Sequence, residues 1–125
     1  MNPIVLRDEE PPDDAVVVIR GGEMTGEFVR RTANDAHVEL GIYAVSVFLT
    51  LDAGVDELCA AEPFLVRYGK VRLSTAGRLR AGGFPLIPTL QRPHYDVVLP
   101  DLEPPTLLRL DDCFDAPLTN PGRAE

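Results

Sequence analysis

Four stretches of this chain carry side chains able to do chemistry. The run AVVVIRGG, residues 15–22, ends an apolar, β-branched segment on Arg20 and then turns on Gly21 and Gly22. A short continuous apolar run suits a strand covered on both faces. A guanidinium at the mouth of a core needs an anion, so Arg20 with the glycine amides can hold a phosphate or carboxylate. The alternative is a structural ion pair with Asp96 or Glu39. Ser46 interrupts the apolar stretch IYAVSVFLTL, residues 42–51. It reads either as a serine buried against backbone or as a pocket hydroxyl. No G-x-S-x-G elbow surrounds it, which argues against a hydrolase of that kind.

The segment RPHYD, residues 92–96, opens a further strand, and alternation puts His94 and Asp96 on one face. A histidine beside a carboxylate can act as general acid or base; the competing reading is an ordinary surface histidine. Ser74, Thr75 and Arg78, in STAGR, combine hydroxyls, helix-start amides and a cation. Those are the parts of an anion site, and equally of an N-cap. The histidines His37 and His94 and the cysteines Cys59 and Cys113 show no HxxxH or CxxC spacing, so no metal site is read. Both thiols fall on apolar helix faces, as buried free cysteines of a reducing cytoplasm do. A Cys–His–Asp arrangement has no spacing signature behind it.

These residues need elements to hold them. Strands are expected at Ala15–Arg20, Ile42–Leu51, Lys70–Leu73 (half exposed) and Tyr95–Leu99, with Ile42–Leu51 central and beside the first. Phe84–Thr89 is extended, and its two prolines bar it from a central ladder position. Helices are expected from Thr25 to Leu40, with Gly41 as its terminator, after Asp52, from Ser74 to Ala81, and after Asp101. Val29, Ala33 and Ala36, with Phe28 and Leu40, mark the buried stripe of the first. This order gives an α/β or α+β fold: a single layered domain, a mixed sheet of about five strands with three to four helices packed on it. Residues 1–14 read as an acidic flexible arm, 15–114 as the globular domain and 115–125 as a loose tail.

Twelve basic against twenty acidic residues leave a net charge of −8 in 125 residues. That field disfavours non-specific nucleic-acid binding. Six cations between Arg67 and Arg92 still offer a local basic strip for a small phosphate-bearing ligand. No stretch is long and apolar enough for a membrane span or a signal peptide, so the chain is expected to be cytoplasmic.

Through VVVIRGG, GIYAVSVF, LSTAGRLRAGGF and RPHYDVVLP the chain resembles a widespread type of small, uncharacterised bacterial protein, which implies no activity. A strand ending in Arg20, then a helix, then a strand bearing Ser46 also resembles the order of parts in ADP-ribosyltransferase toxins. The resemblance implies an arginine that holds NAD, a serine strand that shapes its pocket and a late glutamate that stabilises the reacting ribose. Here the late strand carries His94-Tyr95-Asp96 and no glutamate. Two functional expectations follow. The first is a non-catalytic protein-interaction component without a cofactor, acting with a larger or neighbouring-gene partner or with a second copy of itself. The second is a small toxin-like enzyme or nucleotide-binding module of ADP-ribosyltransferase type, with Arg20, Gly21, Gly22, Ser74, Thr75 and Arg78 on the ligand and Ser46, His94 and Asp96 at the chemistry.

Overall fold

The computed structural model of the chain describes residues 10–21, 27–90 and 92–123, with side chains for all of these but 27, 28, 39, 40 and 123. Among them run six strands: β1 (Val16–Arg20), β2 (Tyr43–Leu49), β3 (Lys70–Thr75), β4 (Leu86–Pro88), β5 (His94–Leu99) and β6 (Leu118–Thr119). Five helices accompany them: α1 (Glu27–Leu40), α2 (Val55–Ala61), α3 (Pro63–Val66), α4 (Ala76–Ala81) and α5 (Pro104–Asp112). The strands form one sheet in the order β4-β5-β2-β1-β3-β6. Every pairing is antiparallel, where a mixed sheet was expected.

The two most apolar strands, β1 and β2, occupy the middle because both their faces are covered. On one face Val17, Ile19, Val45, Val47, Tyr95 and Val97 pack under Val29 and Ala33 of α1, Leu79 of α4 and Leu107 and Leu110 of α5. On the other, Val18, Phe48 and Val71 pack under Leu58 and Cys59 of α2 and Leu65 of α3. Alternation along each strand sorts these side chains between the two cores. The proline-flanked β4 is the edge strand its composition requires.

Helix ends follow local chemistry. Gly41 has φ +80 and donates to the His37 carbonyl, closing α1 as a left-handed glycine does. Thr75 caps α4 by accepting from the Arg78 N–H. Asp52 does not cap α2, whose N-cap is Gly54; it pairs instead with Arg92. Asp101 stands two residues before the N-cap of α5, Glu103, and accepts from the Glu103 N–H and the Thr106 hydroxyl.

Among the described residues, 10–14 and 115–122 make specific contacts with the rest of the domain. Pro11 is buried, the Asp13 carbonyl accepts from Gly77 N–H, and the Asp13 carboxylate pairs with Arg80. Residues 1–9 lie outside the described residues. Past residue 114 the domain continues through β6 into a 3-10 turn, Pro121–Arg123, against α2. Buried Asn120 ties that segment down by donating to the carbonyls of Leu65 and Tyr68. Gly122 lies so close to α2 that a Cβ would stand 2.3 Å from the Cys59 carbonyl carbon.

Arg72, expected on a half-exposed face, is buried. Its guanidinium pairs with Asp111 at 2.5 Å and donates to the carbonyls of Asp111, Phe114 and Asp115, satisfying the C-terminal end of α5. Arg72→Ala is expected to lower unfolding stability by about 3 kcal/mol, because it strips a buried charge network. Arg78→Ala, which removes an exposed pair with Asp115, is expected to cost less than about 1 kcal/mol. Urea denaturation of both variants checks the contrast.

Candidate functional site

Strand register places the polar residues of the second sheet face in two rows. Val18 pairs with Phe48, and Phe48 with His94. One step along, Ser46 pairs with Asp96, and Asp96 with Ile87. The β1–β2 pairing ends at Val18 and Phe48, and Arg20, two residues on, shares a face and a cleft with Ser46. Arg20, Ser46 and Asp96 thus lie across three neighbouring strands, β1, β2 and β5. At about 4.8 Å between strands, the row spans roughly 10 Å at the backbone.

A cleft of about 140 Å³ opens over these rows, lined by Arg20, Ser46, Phe48, Phe64, Leu90 and His94. Arg20 is half-buried, with its guanidinium 5.2 Å from the Tyr68 ring centre. Gly21 follows with φ +91 and donates to the Lys70 carbonyl, which turns the chain away at the end of β1. Ser46 is exposed, not buried against backbone. It stands directly opposite Asp96 on the neighbouring strand, on the same face.

His94 is buried, not a surface residue, and meets Phe48 edge-on with ring centres 5.3 Å apart. Asp96 is buried beside it. Thr89 joins the two: its Oγ1 donates to Asp96 Oδ2 at 2.8 Å and stands 2.9 Å from His94 Nδ1. Burial pushes the Asp96 carboxyl above the usual carboxylate range. Hydrogen bonds from Thr89 and Ser46 and the charge of His94 oppose that shift without cancelling it.

Other expected ligand residues lie elsewhere. Ser74 pairs with Val17 and points into the opposite core, donating to the Cys113 carbonyl at 2.5 Å. Thr75 is the α4 cap, and Arg78 pairs with Asp115. Arg20 sits at the far end of β3, beside Val71, so STAGR is a structural junction and not part of the cleft. Gly22 lies outside the described residues. Much of the basic strip is met from within: Arg72, Arg78, Arg80 and Arg92 all face carboxylates.

A nucleophilic cysteine finds no support. Burial and the charge of Asp56 push the Cys59 thiol up to about 11, and burial raises Cys113 on the opposite face. His37 is exposed and stacks on Tyr43 with ring centres 4.4 Å apart. Among the described residues no three His, Cys, Asp or Glu side chains gather to hold a metal ion, and no helix is long and apolar enough to cross a membrane. No protein-family model, curated protein or solved structure matches the chain.

Sequence reasoning missed Thr89, Phe48, Phe64 and Leu90 as parts of the site. Thr89 was recoverable in principle, because a β4–β5 hairpin in this register sets it opposite His94. Phe64 and Leu90 come from segments with no chemical signature.

The raised Asp96 carboxyl has a consequence for stability. The folded state binds the Asp96 proton more tightly than the unfolded chain does, whose carboxyl ionises near 3.8. Wild-type stability from this group is full below that value and is lost as pH rises through the folded midpoint. Asp96→Asn does not titrate there. Its stability relative to wild type is therefore expected to improve steadily from about pH 4 upward and then level off. Urea denaturation across that range tests this, and a constant difference between the two proteins contradicts it.

Proposed function

We propose that the cleft binds NAD and transfers its ADP-ribosyl group, in the manner of ADP-ribosyltransferases. The observation that carries this reading is that Arg20 and Ser46 line one cleft while Asp96 pairs with Ser46 across β2 and β5, three residues far apart in sequence gathered on one sheet face. They are the parts that the resemblance calls for, with an aspartate in the place of the glutamate.

Each has a chemical task in that reaction. The Arg20 guanidinium pairs with the phosphates, supplying local positive charge in an acidic protein. The Ser46 hydroxyl and the Asp96 carboxylate receive the ribose hydroxyls. As the C1′–N bond breaks, its electron pair leaves with nicotinamide and positive charge grows on the ribose, where the fixed Asp96 carboxylate stabilises it. An acceptor or water oxygen then bonds C1′ and gives up its proton. Asp reaches roughly 1.5 Å less far than Glu, so the ribose must sit close against the sheet. A cleft of about 140 Å³ takes a ribose with its neighbouring phosphate, below the range that holds a whole drug-sized ligand. The remainder of the dinucleotide would lie along the open face beyond Ser46.

A second reading, a protein-interaction component, draws on a different observation. Phe64 and Leu90, at the rim of this cleft, are 52% and 50% exposed, and exposed apolar pairs around a pocket suit a docking surface. Two buried free thiols suit a reducing, cytoplasmic setting under either reading.

Calorimetric titration with NAD and an assay of nicotinamide release separate the two. Arg20→Ala is expected to weaken NAD binding at least about tenfold, the loss of a charge-assisted contact. Asp96→Asn is expected to bind within about threefold of wild type while nicotinamide release falls at least about a hundredfold. No binding of NAD or ADP-ribose by the wild-type protein would sink the transferase reading. Retention of a neighbouring gene's product, lost on Phe64→Ser and Leu90→Ser, would then establish the second.

A further inference from the structure

Thr89 is 1% exposed, yet its hydroxyl touches two titratable side chains, His94 in the cleft wall and buried Asp96 beside it. One hydroxyl has one proton to give. Ionised Asp96 only accepts, so that proton goes to Asp96 Oδ2. The Thr89 carbonyl also stands 3.2 Å from His94 Nδ1, and a carbonyl only accepts as well. The Thr89 hydroxyl and the Thr89 carbonyl therefore both ask Nδ1 for a proton. The neutral imidazole that satisfies them carries hydrogen on Nδ1 and leaves Nε2 as its basic nitrogen. The result is a one-way chain, His94 Nδ1–H to Thr89 Oγ1–H to Asp96 Oδ2.

We propose that Thr89 is a positioning residue of the cleft: it fixes the tautomer of His94 and the orientation of the Asp96 carboxylate toward a bound ribose. The chain itself is read from hydrogen-bond geometry; its role toward a ribose rests on the nucleotide reading given above. Adding a proton to His94 at Nε2 leaves the chain intact and places a full positive charge behind it, which holds Asp96 ionised. Among the described residues the titratable group acting on Asp96 is His94 on its own strand, and Arg20 stands two strands away on β1. Ser46 on β2 and Thr89 after β4 supply hydroxyl donors.

The arrangement explains why the hairpin brings a threonine to this spot rather than an apolar residue. A valine of the same shape would leave Asp96 short of a donor in a buried setting, where an unmade hydrogen bond is costly.

The test uses the full chain with isotopically labelled histidine and aspartate, in wild type, Thr89→Val and Thr89→Ser. Imidazole nitrogen shifts read the His94 tautomer, and the carboxyl carbon shift reads the Asp96 titration. Wild type and Thr89→Ser are expected to show hydrogen on Nδ1 of neutral His94. Thr89→Val is expected to show a mixture of tautomers and an Asp96 midpoint higher by about half a pH unit or more. In the same variants, NAD affinity is expected to fall at least about fivefold in Thr89→Val at neutral pH and to return in Thr89→Ser. A folded Thr89→Val with the wild-type tautomer and the wild-type Asp96 midpoint overturns the proposal, as does hydrogen on Nε2 of neutral wild-type His94. If the shifts behave as expected but wild type binds no NAD, the hydrogen-bond chain stands and the nucleotide reading falls.

Discussion

A carboxylate held out of water in the middle of a sheet face is the constraint around which this protein is arranged. Asp96 tolerates its position because hydroxyls arrive from both sides, Ser46 from the neighbouring strand and Thr89 from the hairpin. Each donor is delivered by backbone pairing: β2 sets Ser46 directly opposite Asp96, and the β4–β5 hairpin returns Thr89 beside His94. A slip of one residue in either pairing would turn the donors to the other face and leave a buried charge unmet. The antiparallel register is thereby tied to the polar row as firmly as to the two apolar cores.

The sheet divides its labours between its faces. One is sealed by α1, α4 and α5 over an apolar core that includes Tyr95, Val97 and Leu99, the odd-numbered residues of β5. The other is covered by α2 and α3 above Val18, Phe48 and Val71, while Ser46 on the same face stays exposed. The even-numbered residues of β5, His94 and Asp96, fall at that boundary between covered and open surface. A titratable group there is dry enough for its charge to matter and open enough to meet a ligand. Stability is drawn chiefly from the sealed face and from the Arg72 network, so the cleft can carry groups that a core alone would not choose.

Much of this was legible in the chain. The apolar runs AVVVI and IYAVSVFL announced adjacent central strands, prolines announced an edge, and Gly41 announced the end of the first helix. Arg20, Ser46, His94 and Asp96 stand out in the sequence because polar residues in apolar strands need a reason to be there. What the chain could not disclose was long-range. Ser46 was expected to be buried against backbone and His94 to be a surface residue, because burial depends on which helices cover which end of the sheet. STAGR had the same local chemistry as an anion site, and only the pairing of Ser74 with Val17 shows that it faces the other core. Arg72 was expected at the surface because no local pattern reveals that the end of α5 will come to meet it.

The hairpin that carries Thr89 shows how such a site is built at some cost. Leu90 follows it with φ +55, a left-handed conformation that costs a side chain of this kind roughly 1–2 kcal/mol. Glycine or asparagine would relieve that strain, and neither would place an apolar side chain on the lip of the cleft. The chain must turn sharply after Thr89, because its hydroxyl has to stay within reach of both His94 and Asp96 while the backbone rises to return as β5. A leucine held there lines the cleft together with Phe64. Strain that persists where a turn, a buried donor and a cleft wall coincide is maintained by the structure around it. Here the hydrogen bonds of Thr89 to His94 and Asp96 hold the residue that precedes the turn.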